Sequence, residues 1–251
     1  MSSRFRSRYG SFGIGGWTPA VKVLIIACVV TFFLQIIDRM TAGTAGPSFI
    51  YKFGLTPTLV VHNFYLWQLV TYIFLHDTNQ FFHILFNMLA LWMFGSELES
   101  VWGTRQFTKF FFICGIGAGL LTVLLSPNSP GTTIGASGAI YGILAAYGIL
   151  FPNRTIILFI FPIPAKWFVL GLGVIAFISS LSASGSGIAH IAHLGGMLCG
   201  LVYLKGGRFI HDIRYQYDRW HRNRLRRKFD VYYNERRRNE DDPEKWRRWR
   251  N

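Results

Sequence analysis

Gln80-Phe81-Phe82-His83-Ile84-Leu85-Phe86-Asn87-Met88-Leu89-Ala90-Leu91-Trp92-Met93-Phe94 is the stretch on which the fold turns. It carries no formal charge, yet His83 and Asn87 interrupt its apolar run. Four residues apart, they share one face of a helix, roughly 5 and 10 Å below its start at about 1.5 Å per residue. In hydrocarbon each such group is costly and needs packing, pairing or function as its reason. The rest of the chain decides for hydrocarbon. Of 26 Lys+Arg, only Arg39, Lys52, Arg105, Lys109, Arg154 and Lys166 lie within residues 23–204, beside four acids, Asp38, Asp77, Glu97 and Glu99. Four basic residues lie within 1–22 and sixteen within 205–251. A chain that is 51% apolar with net charge +14, and that keeps the two apart in this way, is neither a compact soluble enzyme nor a disordered chain. It reads as a membrane domain with polar tails. Cys28, Cys114 and Cys199 fall inside apolar runs, so neither a disulfide framework nor a zinc ribbon is expected.

Working outward, six apolar segments qualify as spans: Ala20–Ile37, Gln80–Phe94, Phe107–Leu125, Ser137–Phe151, Trp167–Leu181 and Ile188–Leu204. Several are short, so tilt or burial behind other helices must make up the length. Turn-forming clusters separate them at 41–47, 126–131, 152–164 and 182–187. The fold class expected is all-α, a polytopic membrane bundle of six transmembrane helices. It divides into a cytoplasmic segment 1–19, a membrane domain 20–204 and a basic cytoplasmic tail 205–251. Six spans leave both termini on one side, where 24 of the basic residues then fall, against Arg39 and Lys52 on the other. The positive-inside rule puts both ends in the cytoplasm. Gly43 and Ala45 offer a signal-peptide alternative for the first span, but its length and the charge count favour a retained helix.

With that topology, polar groups from three distant segments reach a similar depth near the outer leaflet. His83 and Asn87 descend in span two, His190 and His193 in span six, and Ser137 opens span four after an uncharged loop, 126–136. Ser137 sits in Gly135-Ala136-Ser137-Gly138, with Tyr141 one turn on and Gly142 beyond; His193 leads a stripe through Gly196 and Gly200. Small residues on both helices permit the close approach that a hydroxyl-to-imidazole hydrogen bond requires. A serine hydroxyl needs such a base, and its attack creates an oxyanion that needs donors. His83, Asn87 and the Ser137 N–H are the candidate donors. No acid is left to orient the base, so a Ser137–His193 dyad is expected, with Tyr141 packed on the imidazole. Of the two histidines in span six, the glycine stripe selects His193.

These residues together resemble the rhomboid family of intramembrane serine proteases. The matching stretches are Trp67-Gln68-Leu69-Val70-Thr71 through Phe74-Leu75-His76 to His83-Ile84-Leu85-Phe86-Asn87, then Gly135-Ala136-Ser137-Gly138 with Tyr141 and Gly142, and Ala192-His193-Leu194-Gly195-Gly196 with Gly200. The resemblance spans roughly residues 57–201 in family order. It implies a six-helix rhomboid-like bundle, Ser137 as nucleophile, His193 as general base, and His83 and Asn87 as oxyanion-hole donors. It also implies a 43–79 loop lying partly in the outer leaflet, and transmembrane proteins as substrates, cut near the outer boundary of a weakly helical segment. Many members carry Trp-Arg where this chain has Trp67-Gln68, which leaves only neutral hydrogen bonds to anchor the loop.

Competing readings are a channel or transporter lined by the His/Asn/Ser cluster, and a non-catalytic rhomboid-like protein that binds transmembrane helices. No metal or other cofactor is expected: no glutamate accompanies His190 and His193 in a His-Glu-x-x-His helix. No aspartate pair lies within spans. His62 and His76 read as structural or exposed loop residues, and Glu97 or Glu99 as a fold-holding group at the cytoplasmic end of span two. The tail mixes sixteen basic and eight acidic residues with Trp220, Trp246 and Trp249. Directly after a last span its expected partner is the anionic lipid of the cytoplasmic leaflet rather than nucleic acid. Residues 207–238 are expected to extend the last helix, and the location expected is a bacterial inner membrane.

Overall fold

A computed structural model describes residues 16–41, 49–158, 161–180 and 187–206, together with positions 215, 217–220, 222–223 and 225–226. The N-terminal segment, nearly all of the turns expected at 41–47 and 182–187, and most of the tail lie outside the described residues; of the helical extension expected over 207–238 only those nine positions are described. The chain divides into two compact units, 1–206 and 207–251. In the second, the described positions are helical, and the Tyr217 and Trp220 rings lie 6.1 Å apart.

The first unit is mostly helical. Helix α1 (Pro19–Thr41) is followed by three short helices, α2 (Phe49–Phe53), α3 (Pro57–His62) and α4 (Gln68–Thr71), the last running into a tight turn at Tyr72–Phe74. Helix α5 (Phe81–Ala90) continues through a widened turn, Leu91–Gly95, into α6 (Ser96–Trp102). Then come α7 (Thr104–Leu125), α8 (Ser137–Leu150), strands β1 (Thr155–Leu158) and β2 (Phe161–Pro164), α9 (Ala165–Ser180) and α10 (Gly187–Lys205). By length and composition, α1, the continuous Phe81–Trp102 helix and α7 are long and apolar enough to cross a membrane; α8 and α9 are apolar but shorter. The second of these runs on past the expected end at Phe94, because the widened turn at Leu91–Gly95 keeps the helix going into α6.

The expectation of an all-α chain needs correction. β1 and β2 form an antiparallel hairpin pairing Thr155 with Pro164 and Ile157 with Pro162. Pro152, Pro162 and Pro164 forbid a helix there, and the β-branched Thr155, Ile156 and Ile157 favour extended backbone. A two-stranded hairpin has only edges, where proline is tolerated.

The core lies where α10 packs along α7 and α8. Phe107, Phe110, Phe111, Cys114 and Ala118 of α7 and Ala139, Ile143 and Ala146 of α8, two helices in contact, are all buried. The outer faces remain apolar: Phe33 and Ile37 on α1, Leu124 on α7 and Ile175 on α9 are more than half exposed. That is the surface of a protein whose solvent is lipid. At the other end of the bundle Glu99 accepts hydrogen bonds from the Ala20 and Val21 N–H groups and from Thr104 Oγ1, at 2.9, 3.0 and 2.7 Å. It thereby satisfies two donors that the start of α1 leaves without helical partners. Glu97 accepts from Tyr147 at 2.8 Å and pairs with Arg154 at 3.2 Å.

The segment between α1 and α5 is held from several sides. Gln68 is fully buried; its Oε1 accepts from Thr56 N–H at 3.0 Å and its Nε2 donates to the Tyr51 carbonyl at 3.0 Å. Neutral bonds therefore do anchor this loop at Gln68. Leu55 and Thr133 exchange both backbone hydrogen bonds, and the Thr56 and Thr132 hydroxyls lie 2.7 Å apart. The 126–136 loop is thus fastened to the 49–74 segment immediately before Ser137.

Candidate active site

Ser137 is the first residue of α8, and no side chain caps that helix start. Its first-turn N–H groups are therefore free to meet an anion. Gly135, two residues earlier, has φ +122°, a conformation that side chains rarely adopt, and its N–H donates to the Tyr72 carbonyl at 2.9 Å. A Cβ at Gly135 would stand 3.0 Å from His83 Nε2 and 3.8 Å from Ser137 Oγ. The imidazole edge of α5 and the hydroxyl of α8 thus face one small space that only glycine leaves open.

From α10, His193 Nε2 lies 2.8 Å from Ser137 Oγ. The hydroxyl donates and the ring nitrogen accepts when the imidazole is neutral with its hydrogen on Nδ1. That Nδ1 is buried and has no hydrogen-bond partner among the described residues, so no carboxylate stands behind the ring. Tyr141, one turn below Ser137, stacks on the imidazole with centroids 4.3 Å apart and planes within 5°. His190 sits edge-on to His193, with centroids 5.7 Å apart. The helices meet through backbone: a Cβ on Gly196 would be 1.8 Å from the Gly138 carbonyl oxygen, and one on Gly200 3.0 Å from that of Gly142. One on Gly138 would meet Ala118 of α7 at 2.7 Å.

Asn87 is buried, and its Nδ2 donates to the His83 carbonyl at 2.7 Å. An amide nitrogen carries two hydrogens, so one remains for a second acceptor. His83 Nδ1 accepts from the Asp77 N–H at 3.3 Å. The structure therefore brings Ser137, His193, Tyr141, Gly135 and His83 together, with Asn87 one turn along α5 from His83.

Sequence reasoning left His76 as structural or exposed and did not name Gln35. His76 is fully buried, which is the structural alternative; its Nδ1 donates to the Phe74 carbonyl at 3.3 Å and its ring stands 5.3 Å from that of His83. Burial draws this imidazole down to about 4, the neighbouring His83 adding to the effect and the Phe74 bond opposing it. Gln35 on α1 holds the same residue, donating to the His76 carbonyl and accepting from its N–H, both at 3.0 Å. The signal was available, because Gln35 is an amide inside an apolar span.

A helical bundle with lipid-compatible faces and a part-buried serine–histidine contact between two of its helices defines a class, that of helical membrane proteins. The Rhomboid domain family model matches residues 63–207, more than half of the chain, and the protein belongs to the rhomboid family. It is 36% identical over 137 residues to Rhomboid protein 1, mitochondrial, of Saccharomyces cerevisiae, a match covering 50% of this chain and 38% of that protein. It is 37% identical over 179 residues to RHOMBOID-like protein 1 of Arabidopsis thaliana, covering 68% and 42%. Rhomboid protease GluP of Bacillus subtilis is 27% identical over 186 residues, covering 72% and 34%. The chain thus spans about two fifths or less of the length of these curated relatives. It is a membrane protein of a family that includes proteases.

Proposed function

We propose that the protein is an intramembrane serine endopeptidase that cuts transmembrane segments of other membrane proteins near the outer leaflet. The observation that carries the reading is the 2.8 Å contact between Ser137 Oγ and His193 Nε2. His193 takes the serine proton as Oγ attacks the scissile carbonyl. The resulting oxyanion is met by the free N–H groups at the start of α8, by His83 Nε2–H and by the second hydrogen of Asn87 Nδ2. His193 then returns the proton to the leaving nitrogen, and water, activated by the same imidazole, hydrolyses the acyl-enzyme. Tyr141 holds the ring plane in place of an acid.

In this reading the bundle crosses the membrane six times, α8, α9 and α10 adding to the three longer helices, with both termini cytoplasmic. The 24-to-2 division of basic residues supports that orientation. The basic tail lies on the anionic inner leaflet and nucleic acid is not a partner. The sequence reading of a bacterial inner membrane fits the Bacillus relative, while the yeast relative's name points to a mitochondrial membrane; both are bilayers in which the same chemistry serves.

The test is cleavage of a single-span substrate by purified protein, with labelling by a fluorophosphonate, which reacts only with an activated serine. Ser137→Ala should lose both, and Asn87→Ala should lower turnover on the order of 10²-fold or less. Cleavage retained in Ser137→Ala would overturn the proposal.

A further inference from the structure

The outer end of α1 grips the turn before α5 at two levels. Gln35 is buried and spends its amide on the backbone of His76, with an N–H donated to the carbonyl and an oxygen accepting from the N–H, both at 3.0 Å. Four residues on, and so on the same face of α1, Arg39 donates to Thr78 Oγ1 at 3.4 Å and to Asn79 Oδ1. Between these grips lies the peptide joining His76 to Asp77, and the Asp77 N–H points at His83 Nδ1, 3.3 Å away. The turn is closed by Asn79 N–H donating to Asp77 Oδ1 at 2.8 Å and His83 N–H to the Gln80 carbonyl at 2.8 Å.

A ring nitrogen that accepts a hydrogen bond carries no hydrogen. With Nδ1 accepting from Asp77, the neutral His83 ring has its one hydrogen on Nε2, the atom that faces the space beside Gly135 and Ser137. The opposite tautomer would turn a lone pair toward that space, where an oxyanion would be repelled. We infer that Gln35 is a positioning residue of the catalytic site: by fixing the His76–Asp77 peptide it sets His83 in the Nε2–H tautomer and aims that hydrogen at the oxyanion. Nothing in this chain of contacts involves the dyad itself. It joins the membrane helix farthest from Ser137 in sequence to the donor side of the reaction, and it rests on the protease reading for its purpose but not for its geometry.

The experiment begins with the intact protein carrying ¹⁵N-labelled histidine, in which magnetic resonance reads which ring nitrogen of His83 bears the hydrogen, the signal being assigned by its loss in His83→Gln. The expected result is a bare Nδ1 and a protonated Nε2; a protonated Nδ1 would overturn the inference whether or not any variant folds. Gln35→Leu should then show a mixture of tautomers and a kcat about tenfold lower at unchanged KM, short of the roughly 10²-fold loss expected for removing a donor outright. In a His83→Ala background the same substitution should change kcat by less than about twofold, because the two residues act through one atom. An equal loss in both backgrounds would mean that Gln35 merely holds the fold. Where Gln35→Leu does not fold, Gln35→Glu, which keeps the acceptor for His76 N–H, is read by the same criteria. A wild-type protein with the expected tautomer but no cleavage and no Ser137 labelling would sink the protease reading and leave the tautomer assignment standing.

Discussion

Replacing Gly196 by alanine should part Ser137 from His193, the proposed nucleophile and base, without touching either. A Cβ there would lie 1.8 Å from the Gly138 carbonyl oxygen and 2.6 Å from its carbonyl carbon. Both are backbone atoms, so no rotamer change relieves the clash. To bring the new carbon out to a 3.0 Å contact, α8 and α10 must part by at least about 1.2 Å. Ser137 adjoins Gly138, and His193 lies one turn before Gly196. The same displacement carries their 2.8 Å contact to about 4 Å, beyond hydrogen-bond reach. Overpacking of this kind costs about 1–3 kcal/mol, and alanine's helix preference over glycine returns about 1 kcal/mol, so the variant should fold. Loss of general-base assistance should slow both fluorophosphonate labelling and substrate turnover by about 10²-fold or more. Gly171→Ala is the control: nothing stands within 4 Å of a Cβ at that position, and its rates should stay within about twofold of wild type. A well-folded Gly196→Ala protein that labels at the wild-type rate would refute the claim that the glycine crossing sets the distance between the pair.

His193→Ala should abolish cleavage and serine labelling, whereas His190→Ala, whose ring meets His193 only edge-on, should retain measurable cleavage; the reverse pattern, in variants that melt normally, would assign the base to the other turn. Glu99→Ala should lower stability by about 3 kcal/mol, since it strips two α1 N–H groups of a charged acceptor, while activity per folded molecule in detergent stays near wild type. His76 ties stability to pH. With its folded value drawn down to about 4 from 6.5, the unfolded chain binds the extra proton first, so stability is full above pH 6.5 and falls toward pH 4 by about 3 kcal/mol. Thermal melts across that range should be flatter in His76→Gln, and equal slopes would exclude His76 as the source.

The close approach of Ser137 and His193 was legible because two small-residue stripes, each led by a reactive side chain, announce a backbone crossing. Tyr141 followed from helical spacing alone. The fold-holding acid was legible too, since a carboxylate at the end of an apolar helix must find donors, and Glu99 finds them on α1. The hairpin at 155–164 was not, because its prolines read as turns and a four-residue apolar strand resembles the end of a helix. The amide of Gln35 inside an apolar span signalled that it needs a partner, but neither the identity of that partner, His76, nor the burial of Gln68 was legible. Both depend on backbone groups of irregular segments, whose unpaired N–H and C=O positions exist only once the loop has taken its shape.

Peptide groups in direct contact at the α8–α10 crossing form a hard stop. The repulsive wall there is steep, and no side chain intervenes to be squeezed, so lateral pressure from the surrounding lipid can only seat the two helices more firmly. Release of that pressure, by contrast, meets no wall. The crossing has room to open outward and none to close further. The 2.8 Å between Ser137 and His193 is therefore a lower limit enforced by the backbone, which a parting of the two helices can lengthen and nothing can shorten.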